Sequence, residues 1–225
     1  KKDLPQSTIM GLNAAYPNYG YIGIPMCIIA FGVEASLPLG LILLADTIVL
    51  LSFTSFFISF SERKKTYIEI VKNLITRIVS QPLLIAVCLG MVFSQLNVKP
   101  PFTVNKFVEM IASSAAPVAL IALGASIKIN FQKSENIELF FISLGKLIVH
   151  PFLLISIFLF FPSGKSVWVQ TAVLCSCLPI AANVFVLAQF YGHFQKQSAN
   201  AIVLSTVIST FTVPSTLYII FLLNF

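Results

Sequence analysis

The sequence predicts an all-α membrane protein with seven transmembrane helices, two of them broken near mid-membrane. Three observations carry this: a composition that water does not solvate, apolar stretches that recur at membrane length, and Pro, Gly and Asn interrupting two of those stretches. Of the 225 residues, 57% are hydrophobic and 10% charged, and the mean hydropathy is +0.94. A water-soluble domain carries about 25% charged residues to cover its surface. Stretches of about 20 apolar residues match a hydrocarbon core roughly 30 Å thick, and at that depth a helix satisfies its own backbone groups.

The expected spans are 7–31, 37–60, 74–96, 107–127, 137–161, 167–191 and 199–223. Charge, Pro and Gly mark their separators: Phe31 to Glu34, Ser61 to Lys65, Asn97 to Pro101, Lys128 to Glu138, Pro162 to Lys165, and Tyr191 to Lys196. Residues 66–73 read as an amphipathic lead-in to the third span, and Pro82 as a kink within it. The sequence starts at Lys1 with no signal-peptide pattern, which points to a processed N-terminus or a fragment.

Lys and Arg set the orientation. Ten of the fourteen fall on one side: Lys1, Lys2, Arg63, Lys64, Lys65, Lys72, Arg77, Lys128, Lys133 and Lys196. Lys99, Lys106 and Lys165 fall on the other, and Lys146 lies within a span. Residue 1 is therefore expected on the cytoplasmic side of the membrane and Phe225 outside. The net charge of +6 sits in short loops and does not indicate nucleic acid. Cys27, Cys88, Cys175 and Cys177 all lie in apolar stretches, with neither a disulfide framework nor metal-ligand spacing. No metal, no cofactor and no catalytic residue are expected.

The first span carries Pro17, Asn18, Gly20, Gly23 and Pro25 close to its centre. Proline removes a backbone donor and clashes with the preceding turn, and glycine weakens a helix further. The sixth span carries Pro179 and Asn183, again mid-span. The first span runs outward and the sixth inward. Their second half-helices therefore start near mid-membrane, with both electropositive N-termini facing a shared central site. That arrangement suits a small carboxylate, to which Asn18 and Asn183 add hydrogen bonds without a permanent charge.

The stretch Asn18-Tyr19-Gly20-Tyr21-Ile22-Gly23-Ile24-Pro25 resembles the Asn…Gly-x-Pro signature of the auxin efflux carrier family, which includes plant PIN-FORMED proteins and bacterial malonate-type carriers. Gln81 to Ala86 with Gly90, Ala116 to Ser126, Lys146 to Pro151, and Leu178 to Ala188 follow the family in order. The resemblance covers essentially the whole chain. It implies ten helices in two inverted five-helix repeats, with the fourth and ninth helices broken and crossing. The chain then looks as if it lacks the first three helices. Residues 1–61 hold the last two helices of the first repeat, 62–73 a short cytoplasmic loop, and 74–225 the second repeat. By the resemblance Asn18, Gly23, Pro25, Pro179 and Asn183 lie at the crossover and bind a small carboxylate. Transport is by alternating access.

Ionisable groups at membrane depth are functional candidates. Lys146 and His150 stand one turn apart on one helix face, although Lys146 is near enough to the cytoplasmic end to snorkel. Asp46 is the other deep charge, suited to pairing with a lysine or carrying a proton. These three are the candidates for coupling to H⁺ or Na⁺. Ser205, Ser209, Thr212 and Thr216 form a stripe expected to face a broken helix, and the small residues Ser113 to Gly124 suit a scaffold or homodimer interface. Trp168 with Lys165 reads as an interfacial anchor against membrane lipid.

Two other readings compete. A seven-span receptor does not need two centrally broken helices. A sodium-coupled symporter of a related crossover-helix family fits the same pattern, because fold alone does not fix substrate. An intramembrane enzyme finds no support: Asp3 and Asp46 are the only aspartates, and His150 and His193 are far apart with no His-Glu-x-x-His.

Overall fold

A computed structural model describes residues 3–62, 82–98, 100–126, 136–161 and 166–223, with positions 68, 72, 75 and 76 between them. Most of the lead-in at 66–73, the residues just before Pro82 and most of the loop from Lys128 lie outside the described residues. So do ten of the basic residues that set the expected orientation, Arg63 to Lys65 among them.

Helix α1 (Leu4–Ala15) is capped by Asp3, whose Oδ1 accepts from Gln6 N at 2.9 Å. It ends because Pro17 disfavours helical backbone at the residue before it, and Tyr16 is extended at φ −85°, ψ 108°. A wide π turn over Tyr19–Gly23 then leads into α2 (Ile24–Phe31). After a short 3₁₀ turn, α3 (Ser36–Glu62) follows, then α4 (Pro82–Gln95) and α5 (Phe102–Ser126). Helices α6 (Asn136–Leu144) and α7 (His150–Phe160) are joined by a second π turn, Gly145–Val149. Helices α8 (Val167–Ser176), α9 (Ala182–Tyr191) and α10 (Gln195–Leu223) complete the chain.

Both π turns have one cause. Pro25 and Pro151 each occupy the second position of the helix that follows. A proline there removes an amide donor and its ring crowds the carbonyl four residues back. Widening the preceding turn relieves the crowding, and Ile24 N and His150 N reach back five residues to Tyr19 O and Gly145 O.

The segments Val33–Ile58, Ile137–Phe160 and Gln195–Leu223 are long and apolar enough to cross a bilayer. The expected spans 7–31 and 167–191 are instead each divided, into α1 with α2 and α8 with α9. The divided helices occupy the centre, where Ile9, Leu12, Val173, Leu174, Leu178 and Val184 are almost fully buried. Helix α3 packs on α1 and α8, α10 on α6 and α9, and α5 against the first π turn and α2. Outward-facing Phe53, Phe60, Phe152, Phe160 and Phe211 are exposed along α3, α7 and α10. Such a surface suits hydrocarbon, which solvates it without cost.

Gly192 closes α9 in the left-handed region at φ +74°, and His193 N donates to Ala188 O at 3.1 Å. A side chain there is strained by about 1–2 kcal/mol. Gly192→Ala is expected to lower the melting temperature of the detergent-solubilised protein by a few degrees; an unchanged value contradicts this.

Candidate functional site

The two breaks meet. Asn18 N donates to Pro179 O at 2.8 Å and Ala181 N donates to Tyr16 O at 3.0 Å, an antiparallel bridge centred on Pro17 and Ile180. Backbone groups released from a helix in an apolar interior need partners, and each break supplies them to the other. The remaining amide, Ile180 N, donates to Ser205 Oγ at 3.2 Å. Ser205 is fully buried on α10, so the hydroxyl stripe does face a broken helix at this position.

Asn18 organises the first break. Its carbonyl accepts from Ile22 N at 3.3 Å and Gly23 N at 3.0 Å, and its side-chain Oδ1 accepts from Tyr21 N at 3.2 Å. That contact fixes which amide atom is oxygen. The opposite atom, Nδ2, is buried and has no hydrogen-bond acceptor among the described residues. Gly23 permits close approach of the two breaks: a Cβ built there comes within 2.9 Å of Leu178 Cδ1, itself fully buried. Gly23→Ala is expected to cost about 1–3 kcal/mol through overpacking, measured as a loss of thermal stability in detergent.

The second break is held from α6 and α7. Lys146, in the second π turn, is fully buried; its Nζ donates to Ser176 O at 3.0 Å and lies 3.0 Å from His150 Nδ1. Ser176 is the last residue of α8, so the ammonium sits on the electronegative end of that half-helix. The side chain therefore does not snorkel to the membrane surface, the alternative that its distance from the cytoplasmic end left open. A free backbone carbonyl is nearer than water, and the side chain turns inward to it. On the far side of the break, Ala181 offers no side-chain cap to α9, leaving the first amides, at Ala182 and Asn183, open.

A cavity of about 50 Å³ lies between the breaks, lined by Tyr16 to Tyr21, Leu43, Ala181, Ala182 and Asn183. Of the five residues expected to bind substrate, Asn18 and Asn183 are on its wall; Gly23, Pro25 and Pro179 do not line it. A larger hollow of about 300 Å³ between α1 and α3 is lined mainly by Leu4, Leu12, Leu50, Phe53 and Phe57. Among the described residues its lining carries no positive charge that would favour an anion.

Asp46 is one step behind the cavity. Tyr19 O–H donates a short hydrogen bond to Asp46 Oδ2, and the Tyr16 hydroxyl lies 3.2 Å from Thr47 Oγ1. These contacts tie the first break to α3. Sequence reading missed the tyrosines, and also Asn13, whose Nδ2 donates to Ile9 O at 2.8 Å and to Ser198 Oγ at 2.9 Å, joining α1 to α10.

The sequence profile of the family described as membrane transport protein matches residues 1–217. The chain belongs to this family. The resemblance to auxin efflux carriers read from the ordered motifs points to the same family. A relative from Rhizobium meliloti (strain 1021), named "Putative malonate transporter", is 29% identical over 221 residues, covering 98% of this chain and 69% of the relative. Membership in a membrane transport family makes the chain an integral membrane protein and a transporter, and gives the apolar faces of α3, α7 and α10 their lipid. It also gives the paired breaks a context: irregular backbone at membrane depth is tolerated where it is buried in protein or lines a cavity.

Proposed function

We propose that this protein is a secondary transporter of small carboxylate anions, with the substrate bound where the two broken helices cross. The observation that carries the reading is the buried Asn18 Nδ2, a donor without an acceptor on the wall of a central cavity. Leaving such a donor unpaired costs about 1–3 kcal/mol, and a carboxylate oxygen relieves it. The open amides of α9 and the side chain of Asn183 supply further donors on the opposite wall. The malonate named for the relative is a carboxylate of this class. In this reading seven spans belong to a ten-helix inverted-repeat transporter. Residues 1–61 close the first repeat, 62–73 form the cytoplasmic loop and 74–225 make the second repeat, with residue 1 cytoplasmic. The bundle holding both breaks moves against a scaffold to expose the site alternately.

The test is counterflow of radiolabelled malonate in proteoliposomes. A hydrogen bond to a charged group is worth about 1.5–3 kcal/mol, so Asn18→Ala is expected to slow exchange roughly ten- to hundredfold. Asn183→Ala acts in the same direction. Wild-type exchange in both variants, at equal reconstituted amounts, removes the site assignment.

A further inference from the structure

We infer that Asp46 is a proton-coupling site, so that the carboxylate and a proton cross the membrane together. This rests on the proposed function: it assigns the coupling ion to the anion site just described. Asp46 is ten residues into α3, roughly 15 Å from its start at 1.5 Å per residue and so near mid-membrane. Its carboxylate is half-buried, and among the described residues it forms no salt bridge. Its hydrogen bond is to the Tyr19 hydroxyl. Tyr19 in turn follows Asn18 directly, begins the first π turn and lines the cavity.

One phenol therefore separates a fixed carboxylate from the place where a carboxylate substrate binds. Two negative charges that close, in a poorly solvated interior, repel each other. A proton taken up by an Asp46 oxygen removes that repulsion, leaving a neutral carboxylic acid. Proton and carboxylate then each raise the affinity for the other by the same factor. The proton also changes the contact to Tyr19, because the phenol then donates to a neutral acceptor instead of a charged one, and charged acceptors hold hydrogen bonds about twice as strongly. The first break is tied to α3 through this contact and the Tyr16–Thr47 contact, so protonation loosens one of its two side-chain ties.

The surroundings leave Asp46 as the group that takes the proton. Helix α1 carries no ionisable side chain, and Cys88 of α4 is exposed. Glu34 lies two residues before α3, about three turns from Asp46, at an exposed end. Cys27 of α2 and Cys175 of α8 are buried thiols, and Tyr16 is engaged with Thr47. Lys146 is the cation within electrostatic reach of Asp46, but its ammonium is committed to Ser176 O and His150.

The experiment uses the full chain in proteoliposomes with the membrane potential clamped at zero. Inward proton gradients are imposed and both net malonate uptake and malonate exchange at equal pH are measured. The wild type is expected to accumulate malonate when the lumen is alkaline, by up to about tenfold per pH unit for one proton per anion, and to lose accumulation on adding a protonophore. Asp46→Asn is expected to retain exchange and lose gradient-driven accumulation. Wild-type accumulation that ignores the proton gradient, or Asp46→Asn that still accumulates with it, overturns the inference. If Asp46→Asn does not reconstitute, Tyr19→Phe decides. A shifted pH for half-maximal uptake supports the inference, and an unchanged pH profile overturns it. Absence of malonate exchange in the wild type counts against the carboxylate reading itself, which separates the two failures.

Discussion

Lys146→Met is expected to slow transport at least tenfold while leaving the protein nearly as stable as the wild type. The two effects separate because the lysine is costly to the fold. Removing an ammonium from water carries a penalty of several kcal/mol, which an apolar side chain of similar volume does not carry. Against this stands the Ser176 carbonyl, which loses its 3.0 Å partner; a buried acceptor left alone costs about 1–3 kcal/mol. The two terms roughly cancel. Electrostatics at the break do not cancel. Without the ammonium, the electronegative end of α8 is bare near the site proposed to accept an anion. Malonate exchange in proteoliposomes is expected to fall at least tenfold, with a melting temperature within a few degrees of the wild type. Transport at the wild-type rate shows instead that Lys146 acts only as a structural cap.

Asn18→Asp is the second large effect, and it isolates the donor from the turn. Aspartate keeps an oxygen for Tyr21 N, so the cap on the π turn survives. What disappears is Nδ2, the buried donor with nothing to donate to. In its place stands an oxygen that repels a carboxylate. Exchange is expected to fall more than in Asn18→Ala, by roughly a hundredfold or more at neutral pH, as like charges in a partly desolvated site cost several kcal/mol. Activity that returns as the pH falls marks the protonated side chain restoring a donor. Wild-type exchange at neutral pH rules out contact between Asn18 and the substrate.

The breaks themselves were legible because proline, glycine and asparagine at membrane depth are rare enough to be informative. Pro17 and Pro179 do end helical backbone where the sequence placed the interruptions. Pro25 behaves differently: it lies inside α2, and the π turn before it absorbs the misfit, a solution that spacing alone does not reveal. The partners of the site were not legible. Lys146 reaches Ser176, 30 residues along the chain, and Tyr19 reaches Asp46, 27 residues along. Ser205 serves Ile180 from a different helix. Local pattern carries helix breaks, which are decided within a turn or two. It does not carry hydrogen bonds that depend on how distant helices are packed. Lys146 shows the limit of reading locally: its depth left both a snorkelling and an inward side chain open, and the Ser176 carbonyl decides for the inward one.

The two amide–carbonyl contacts between Tyr16–Asn18 and Pro179–Ala181 also restrict how the protein changes shape. Parting both leaves buried amides and carbonyls unpaired at about 1–3 kcal/mol each, well above thermal energy. Residues 16–18 and 179–181 therefore travel as a single rigid knot, and sliding has to occur at the helix faces around it. A covalent staple across positions 17 and 180 leaves such sliding free.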